Sequence, residues 1–238
     1  MRAAPPNVNR APAYHRGVVL VLAVSDEIDD ALCADVRSVR AAELIVACGD
    51  LPFDYLGYLM NALDVPLVFV PGNHDPDISG YRISRAGLPM RAGLPARPPW
   101  PEGAVSAEQR VVDVAGLRIG GLGGCRRYSE GPNQYTERQQ ARRARDGRGV
   151  DVLLTHAAPE GAGDAEDPPH RGFRALNWLA ARLEPAWLLH GHVHPHGTAP
   201  SDHQVGRTVV RNVVGRHLID IEPGARARRL PAGASRAS

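Results

Sequence analysis

The chain has 238 residues, of which 43% are hydrophobic and 23% are charged, as expected for a soluble protein with a sizeable core. Its net charge is only +2, which argues against a nucleic-acid partner. All 28 basic residues are arginines, which excludes catalysis by a Schiff-base lysine. Three cysteines are too few for a disulfide framework, and no apolar stretch approaches the ~20 residues that cross a bilayer, so we expect a cytoplasmic chain without a membrane partner.

Short apolar runs alternate with helical stretches, which predicts one α/β domain over residues 17–223. The segments 1–16 and 224–238 lack periodicity and are predicted to be disordered tails. The predicted strands are 18–24, 44–47, 67–70, 109–114, 117–121, 151–155, 187–190, 208–213 and 217–221. The predicted helices are 29–40, 55–63, 137–145 and 173–183. Two long loops remain, 71–104 and 159–171, and we expect the first to act as a lid or cap.

Polar side chains follow five of the predicted strands, at the point where each strand ends. In chain order they are Asp26, Asp50, Asn73 with His74, His156, and His192 with His194. Ligands bind in the crevice beyond the carboxyl ends of such strands, so we expect these side chains to lie close together. A mixed set of Asp, Asn and His suits divalent Mn, Fe, Zn or Co. Each residue alone could belong to an ordinary turn, but the ordered set favours a metal site.

The blocks that carry this set resemble the signature of a known family. Gly49-Asp50, Gly72-Asn73-His74-Asp75, His156 and Gly191-His192-Val193-His194 resemble the motifs of the calcineurin-like metallophosphoesterases. The resemblance runs over about residues 18–222. It implies a four-layered αββα sandwich with one or two divalent ions per chain at the strand ends.

The resemblance also implies a role for each matched residue. Asp50 would bridge two ions, with Asn73, His156 and His192 completing one site and Asp26 and His194 belonging to the other. His74 would be the catalytic proton donor, oriented by Asp75. The implied activity is hydrolysis of phosphate monoesters or diesters, as a phosphatase or phosphodiesterase, by a hydroxide that bridges a dinuclear centre. The expected partner is a small phosphorylated substrate.

The chain departs from the family pattern at Ile28, where the resemblance predicts a histidine ligand of the Asp26/His194 site. That site could be weakly filled, or Glu27 or Asp29 could replace the ligand. A third alternative is that His170 or an acid of residues 164–170 reaches across. Asp29 has an equal case as a helix N-cap. We predict one tightly bound and one labile ion, which two tight ions resistant to mild chelation would contradict.

Two competing interpretations follow from this departure and from the charge. The first is a weakly active or non-catalytic phosphate-binding module with a degenerate metal site. The second is a nuclease, which the low net charge argues against. Arg126 and Arg127 are candidates for contacting phosphate or, equally, a solvated pair. Residues 132–135 are expected to form a surface turn that could line the substrate rim.

Overall fold

The computed structural model describes residues 17–144, 149–195 and 202–224. The tails predicted at 1–16 and 224–238 lie outside the described residues, apart from Gly224 itself, so their disorder stays a prediction. The last residue of the predicted helix 137–145 lies outside them as well. None of the described helices is long and apolar enough to span a membrane.

The secondary structure alternates strands and helices along the described chain. The first eight strands are β1 (Val19–Ser25), β2 (Leu44–Ala47), β3 (Leu67–Phe69), β4 (Tyr81–Ile83), β5 (Pro89–Arg91), β6 (Leu94–Pro95), β7 (Val105–Ser106) and β8 (Val111–Val114). The others are β9 (Leu117–Leu122), β10 (Cys125–Arg126), β11 (Gln134–Tyr135), β12 (Val152–Thr155), β13 (Trp187–His190), β14 (His203–Val205), β15 (Thr208–Asn212) and β16 (Gly215–Ile221). The helices are α1 (Asp30–Ala34), α2 (Phe53–Leu63), α3 (Glu137–Arg143) and α4 (Arg174–Leu183), and Val36–Val39 forms a 3₁₀ turn.

Two large sheets face each other across one apolar core. The first has the strand order β16-β1-β2-β3-β7 and the second β14-β15-β13-β12-β9-β8. Val21, Val46 and Val68 of the first sheet share a buried cluster with Ile119 and Leu154 of the second. The central strands are parallel within each sheet, so their carboxyl ends lie at the same edge.

Helices cover the outer face of each sheet. Leu32 of α1 and Leu59 of α2 pack against Ile45 in the first sheet. Leu176 of α4 packs against Leu188 in the second. The strands are apolar on both faces because each sheet is buried on both sides, which explains the continuous apolar runs in the sequence. The layers are therefore helix, sheet, sheet and helix, as expected for the αββα sandwich.

The predicted helix 29–40 is broken in the structure at Asp35. The backbone there is extended, with φ −158° and ψ 107°, and its side chain accepts a hydrogen bond from the amide of Arg37. A short aspartate side chain that bonds its own backbone competes with helix formation. The N-cap expectation for Asp29 is confirmed, since its carboxylate accepts from the amides of Ala31 and Leu32.

The segment 71–104 is more structured than a loop. It contains the antiparallel sheet β4-β5-β6, and Trp100 packs its ring 5.1 Å from that of Tyr81 and 5.8 Å from that of Phe69. The small sheet is therefore anchored on the first large sheet through aromatic contacts. Short strands with prolines gave no alternating pattern, so the sequence predicted a loop.

Candidate metal centre

Four of the predicted ligands meet where the strands of both sheets end. Asp26 and His156 directly follow β1 and β12, while Asp50 and His192 lie in the turns after β2 and β13. One ligand atom of each lies within 4.8 Å of those of the other three. The two histidines are buried and the two carboxylates are partly buried. We call these four residues the strand-end cluster.

Asn73 extends the strand-end cluster on the side of His156. Its Oδ1 lies 3.0 Å from His156 Nε2, which lies 3.2 Å from Asp50 Oδ2. Two ligands ~2.1 Å from one octahedral ion stand ~3.0 Å apart, so these separations suit a shared divalent ion. Carboxylate, imidazole and amide donors together suit Mn, Fe, Zn or Co. The side chains present therefore fit the metal that the sequence predicts.

Three residues of the strand-end cluster have a left-handed backbone. The angle φ is 60° at Asp26, 55° at Asp50 and 69° at His192. Non-glycine residues in this region cost of order ~1–3 kcal/mol each and concentrate at functional sites. The backbone strain at all three positions thus points, independently of the side chains, to a functional edge.

The glycines of the sequence blocks let the backbone pack directly on the ligands. A Cβ at Gly72 would overlap the Asp50 carboxylate, and a Cβ at Gly191 would overlap the Asp26 carboxylate. Only glycine leaves room for such a close approach. These glycines are therefore part of the site rather than ordinary turn residues.

Hydrogen bonds fix the carboxylates of the strand-end cluster. Asp26 Oδ2 accepts from the Ser25 hydroxyl at 2.5 Å and from the His192 amide at 2.9 Å. Asp50 Oδ1 accepts from the His74 amide at 2.8 Å. Each carboxylate is held by the backbone of a different strand end, so the loops after the strands are tied together at the site.

The histidine rings are oriented by backbone carbonyls. His156 Nδ1 donates to the Cys48 carbonyl at 2.8 Å, which leaves Nε2 facing Asp50 and Asn73. His192 Nε2 donates to the Pro169 carbonyl at 2.8 Å, which leaves Nδ1 for the site. A carbonyl bonded to one ring nitrogen fixes which nitrogen can bind a metal.

The two histidines differ in their protonation. Burial lowers the pKa of His156, but the hydrogen bond and charge of Asp50, together with the charge of Asp26, raise it to about 9. Burial and the positive charge of His156 lower the pKa of His192 to about 4. Near neutral pH, without a metal, His156 carries a proton and His192 does not. Two carboxylates therefore hold a positive charge where the sequence predicts an ion.

His74 and Asp75 lie on the turn that brings Asn73 to the site. The His74 side chain is exposed beside the Asp50 carboxylate that its own amide contacts. The buried Asp75 carboxylate accepts from the amides of Gly72 at 2.7 Å and Asp50 at 3.0 Å. Burial raises the pKa of Asp75. In the structure Asp75 thus braces the turn, while the predicted orientation of the His74 ring by Asp75 stays a prediction.

His194 lies outside the strand-end cluster. Its Nδ1 is 2.9 Å from Glu27 Oε1, and both side chains are about half exposed. Ile28 is 47% exposed and offers no donor atom. Asp29 caps α1 and forms an ion pair with Arg216 at 2.9 Å. Of the two neighbours considered as replacement ligands, only Glu27 contacts a predicted metal ligand.

The acidic loop 159–171 is held mainly by hydrogen bonds between its own residues. Asp164 accepts from the amides of Gly161 and Gly172, at 2.8 and 3.0 Å. His170 bonds to Asp167 at 2.7 Å, and its ring lies 5.1 Å from that of His192. The loop therefore borders the site through His170 and the Pro169 carbonyl, while Asp164 links the two ends of the loop.

Two residues support the site without having been assigned a role from the sequence. The Tyr128 hydroxyl accepts from Asn73 Nδ2 at 3.3 Å, which directs Asn73 Oδ1 toward His156. Asn133 Nδ2 donates to the carbonyls of Gly72 at 2.9 Å and Asp75 at 3.0 Å. The segment 132–135 is thus a clamp on the turn with Asn73 and His74, where the sequence indicated only a rim.

The two arginines that could contact phosphate, Arg126 and Arg127, donate hydrogen bonds to backbone carbonyls of the protein. Arg126 Nη1 donates to the Gly172 carbonyl at 3.0 Å and lies 3.6 Å from Glu137. Arg127 Nη2 donates to the Gln134 carbonyl at 3.4 Å. Arg126 is partly buried and joins two loops, whereas Arg127 is exposed, and a role of either in binding phosphate stays a prediction.

Comparisons with known proteins agree with this geometry. A family model for calcineurin-like phosphoesterases matches residues 23–196. Among solved structures, the protein TT1561 of Thermus thermophilus is similar with a TM-score of 0.53 and 13% identity, over 83% of this chain and 90% of that chain. At that identity the similarity shows the fold alone. No curated protein matches the sequence. The family match spans the strand-end cluster and the turns that carry it, and the chain belongs to the calcineurin-like phosphoesterase family.

Proposed function

We propose that the protein is a metal-dependent hydrolase of phosphate monoesters or diesters. The observation that carries the proposal is the strand-end cluster, whose four ligand atoms lie within 4.8 Å of one another in a chain of this family. A small phosphorylated substrate and a cytoplasmic location belong to the same proposal. The low net charge of +2 favours a small substrate over a long polyanion.

The residues divide into two proposed ion sites that share Asp50. The first site consists of Asp50, Asn73, His156 and His192, and the second of Asp26, Asp50 and His194. Divalent ions bound there would supply Lewis-acid charge and an activated hydroxide near neutral pH. Asp50 belongs to both sites because its carboxylate lies next to His156 and within the same cluster as Asp26.

His74 is the proposed proton donor to the departing alkoxide. His74 is exposed, its backbone amide donates to Asp50 Oδ1, and its charge acts on the Asp50 carboxylate, which supports a place for the imidazole near the proposed ions. A positioned histidine that transfers a proton contributes typically ~10²–10⁴-fold to a rate. Asp75 serves this step by holding the turn, through its hydrogen bonds to Gly72 and Asp50.

A second function is favoured by one observation. His194 is half exposed and outside the strand-end cluster, and Ile28 contributes no donor beside it. A chain that binds an ion only in the first site would bind phosphate groups but hydrolyse phosphate esters slowly. This phosphate-binding module is the alternative that the experiment must separate from an enzyme.

Hydrolysis of a mono-aryl and a bis-aryl phosphate with Mn²⁺ tests the proposal. We expect turnover by the wild type, and a fall in kcat of ~10²–10⁴-fold in His74→Ala. His203→Ala is the control for the loss of an imidazole, because His203 lies on β14 and is not part of the strand-end cluster. Equal background rates in the wild type and in His74→Ala would contradict an enzyme and leave phosphate binding. The ratio of kcat/KM for the two substrates decides whether the enzyme prefers monoesters or diesters.

A further inference from the structure

A second pair of donor atoms lies beside the strand-end cluster. Glu27 follows Asp26 directly, and its Oε1 lies 2.9 Å from Nδ1 of His194. On an exposed surface such a contact could be an ordinary ion pair, with little effect on stability. This pair, however, joins one predicted ligand, His194, to the residue that directly follows another, Asp26.

The loops that carry this pair are locked to each other. Asp26 Oδ2 accepts from the His192 amide at 2.9 Å, and the Asp26 amide donates to the Gly49 carbonyl at 3.2 Å. The segment 26–27 is therefore fixed against both the turn that carries Asp50 and the turn with His194. Glu27 and His194 are brought together by the backbone of the site, rather than by two long side chains meeting at random.

The separation repeats the spacing of the first site. There, the ligand atoms of Asn73 and Asp50 lie 3.0 and 3.2 Å from His156 Nε2. Ligands ~2.1 Å from one octahedral ion stand ~3.0 Å apart, and Glu27 with His194 matches this at 2.9 Å. The separation of the pair therefore suits two ligands of one ion. Both side chains are half exposed and lie outside the strand-end cluster, so they would turn toward Asp26 and Asp50 as the ion binds.

We infer that Glu27 is a metal ligand of the second site, together with Asp26, Asp50 and His194. This inference rests on the proposed function. The site then has three carboxylates and one imidazole, whereas the first site has one carboxylate, one amide and two imidazoles. Oxygen-rich, anionic sites suit Mn²⁺ and Mg²⁺, and imidazole-rich sites suit Zn²⁺ and Fe²⁺. The second site thus selects a harder ion than the first.

Mn²⁺ binding to the full chain, measured by equilibrium dialysis and by the electron paramagnetic resonance of coupled Mn²⁺ pairs, tests this inference. We expect two ions in the wild type. An amide oxygen can bind an ion, as proposed for Asn73, so the variant must remove both side-chain oxygens of residue 27. Glu27→Leu does so at a similar side-chain volume. It should retain the first ion and weaken the second by more than about 100-fold, beyond the ~10–100-fold that changes in supporting residues cost. Asp30→Asn, an exposed acid of the same segment, is the matched control and should bind both ions as the wild type does.

The other outcomes separate this inference from the proposed function. A loss of less than about 100-fold in Glu27→Leu would show that Glu27 only orients His194, and would overturn its assignment as a ligand. A wild type that binds one ion and hydrolyses phosphate esters would also overturn it, while leaving the enzyme intact. A wild type that binds no Mn²⁺ would overturn both.

Discussion

At the scale of single residues, burial and charge decide how the site takes up a metal. His156 is fully buried between two carboxylates, so without a metal it holds a proton with a pKa of about 9. His192, with a pKa of about 4, is already neutral. A ligand must lose its proton before it binds a metal, so near neutral pH only His156 contributes to the pH dependence of binding.

Metal affinity should therefore rise with pH. Below a pKa of about 9 the ion must displace the His156 proton, so the affinity of the first site should rise about tenfold per pH unit and level off above pH 9. His192 adds no slope in this range. Calorimetry of Zn²⁺ binding in buffers of different ionisation heats measures the proton directly. One proton released per ion at pH 7.5 is the expected value, and a flat affinity between pH 6.5 and 8.5 would contradict the assignment.

Tyr128 should tighten metal binding through Asn73. Tyr128→Phe removes the acceptor of Asn73 Nδ2, which frees the amide to rotate away from His156. We expect a loss of ~10–100-fold in affinity at the first site, with the melting temperature little changed. Tyr58→Phe is the matched control, because Tyr58 is 39% exposed against 40% for Tyr128 and its hydroxyl bonds to Leu32 and Cys33 in α1. Equal affinities in the two variants would contradict this role.

Replacing Ile28 by histidine should change which metal the second site prefers. Ile28→His places an imidazole next to Asp26 and Glu27 on an exposed position, so the fold should tolerate it. An added imidazole favours Zn²⁺ over Mn²⁺ at the second site. Competition between the two ions in equilibrium dialysis should show this shift, with Ile28→Ala as the control. Unchanged preference would place residue 28 away from the ion.

At the scale of elements, short turns after the strands carry the site, and one distant segment clamps them. Asn133 reaches the turn with Asn73 across 61 and 58 positions of the chain, through its bonds to Gly72 and Asp75. Its own φ is 50°, a left-handed conformation that asparagine tolerates. Through Asn133, the segment 132–135 therefore holds the backbone of the turn that carries Asn73.

Removing this clamp should loosen the turn. Asn133→Gly keeps the left-handed backbone and removes both hydrogen bonds, and we expect a loss of ~1–3 kcal/mol in the free energy of unfolding. Metal affinity should fall as well, because Asn73 lies on the released turn. Urea unfolding of the metal-free protein measures the first effect. Asn133→Asp retains the shape but loses the donors, and it should behave like Asn133→Gly. Full stability in both variants would show that the clamp is not needed.

The elements that the sequence predicted are those with a local signature. The apolar runs placed β2 and β13 at their observed bounds, and the polar residues after them predicted that Asp50 and His192 would lie close together. The break at Asp35 was missed because the helical pattern continues through it. The contact of Tyr128 with Asn73 joins positions 55 apart, and no local pattern records it. Partners distant in the chain become visible only once the fold brings them together.

At the scale of the whole molecule, two facing sheets end at one edge, and each contributes half of the strand-end cluster. Asp26 and Asp50 come from the first sheet, and His156 and His192 from the second. A metal bound by all four would therefore link the sheets and should stabilise the fold as well as supply chemistry. A higher melting temperature with Mn²⁺ than with a chelator is the expected sign, and His156→Ala should reduce the difference.

The central claim is that this edge holds divalent ions which bind a phosphate group. Anomalous diffraction at the manganese edge, from crystals grown with Mn²⁺ and inorganic phosphate, tests it most directly. We predict a strong peak between Asp50, Asn73, His156 and His192, a weaker one beside Asp26, Glu27 and His194, and phosphate between His74 and the ions. A manganese peak elsewhere, or an empty strand-end cluster at saturating Mn²⁺, would contradict the account.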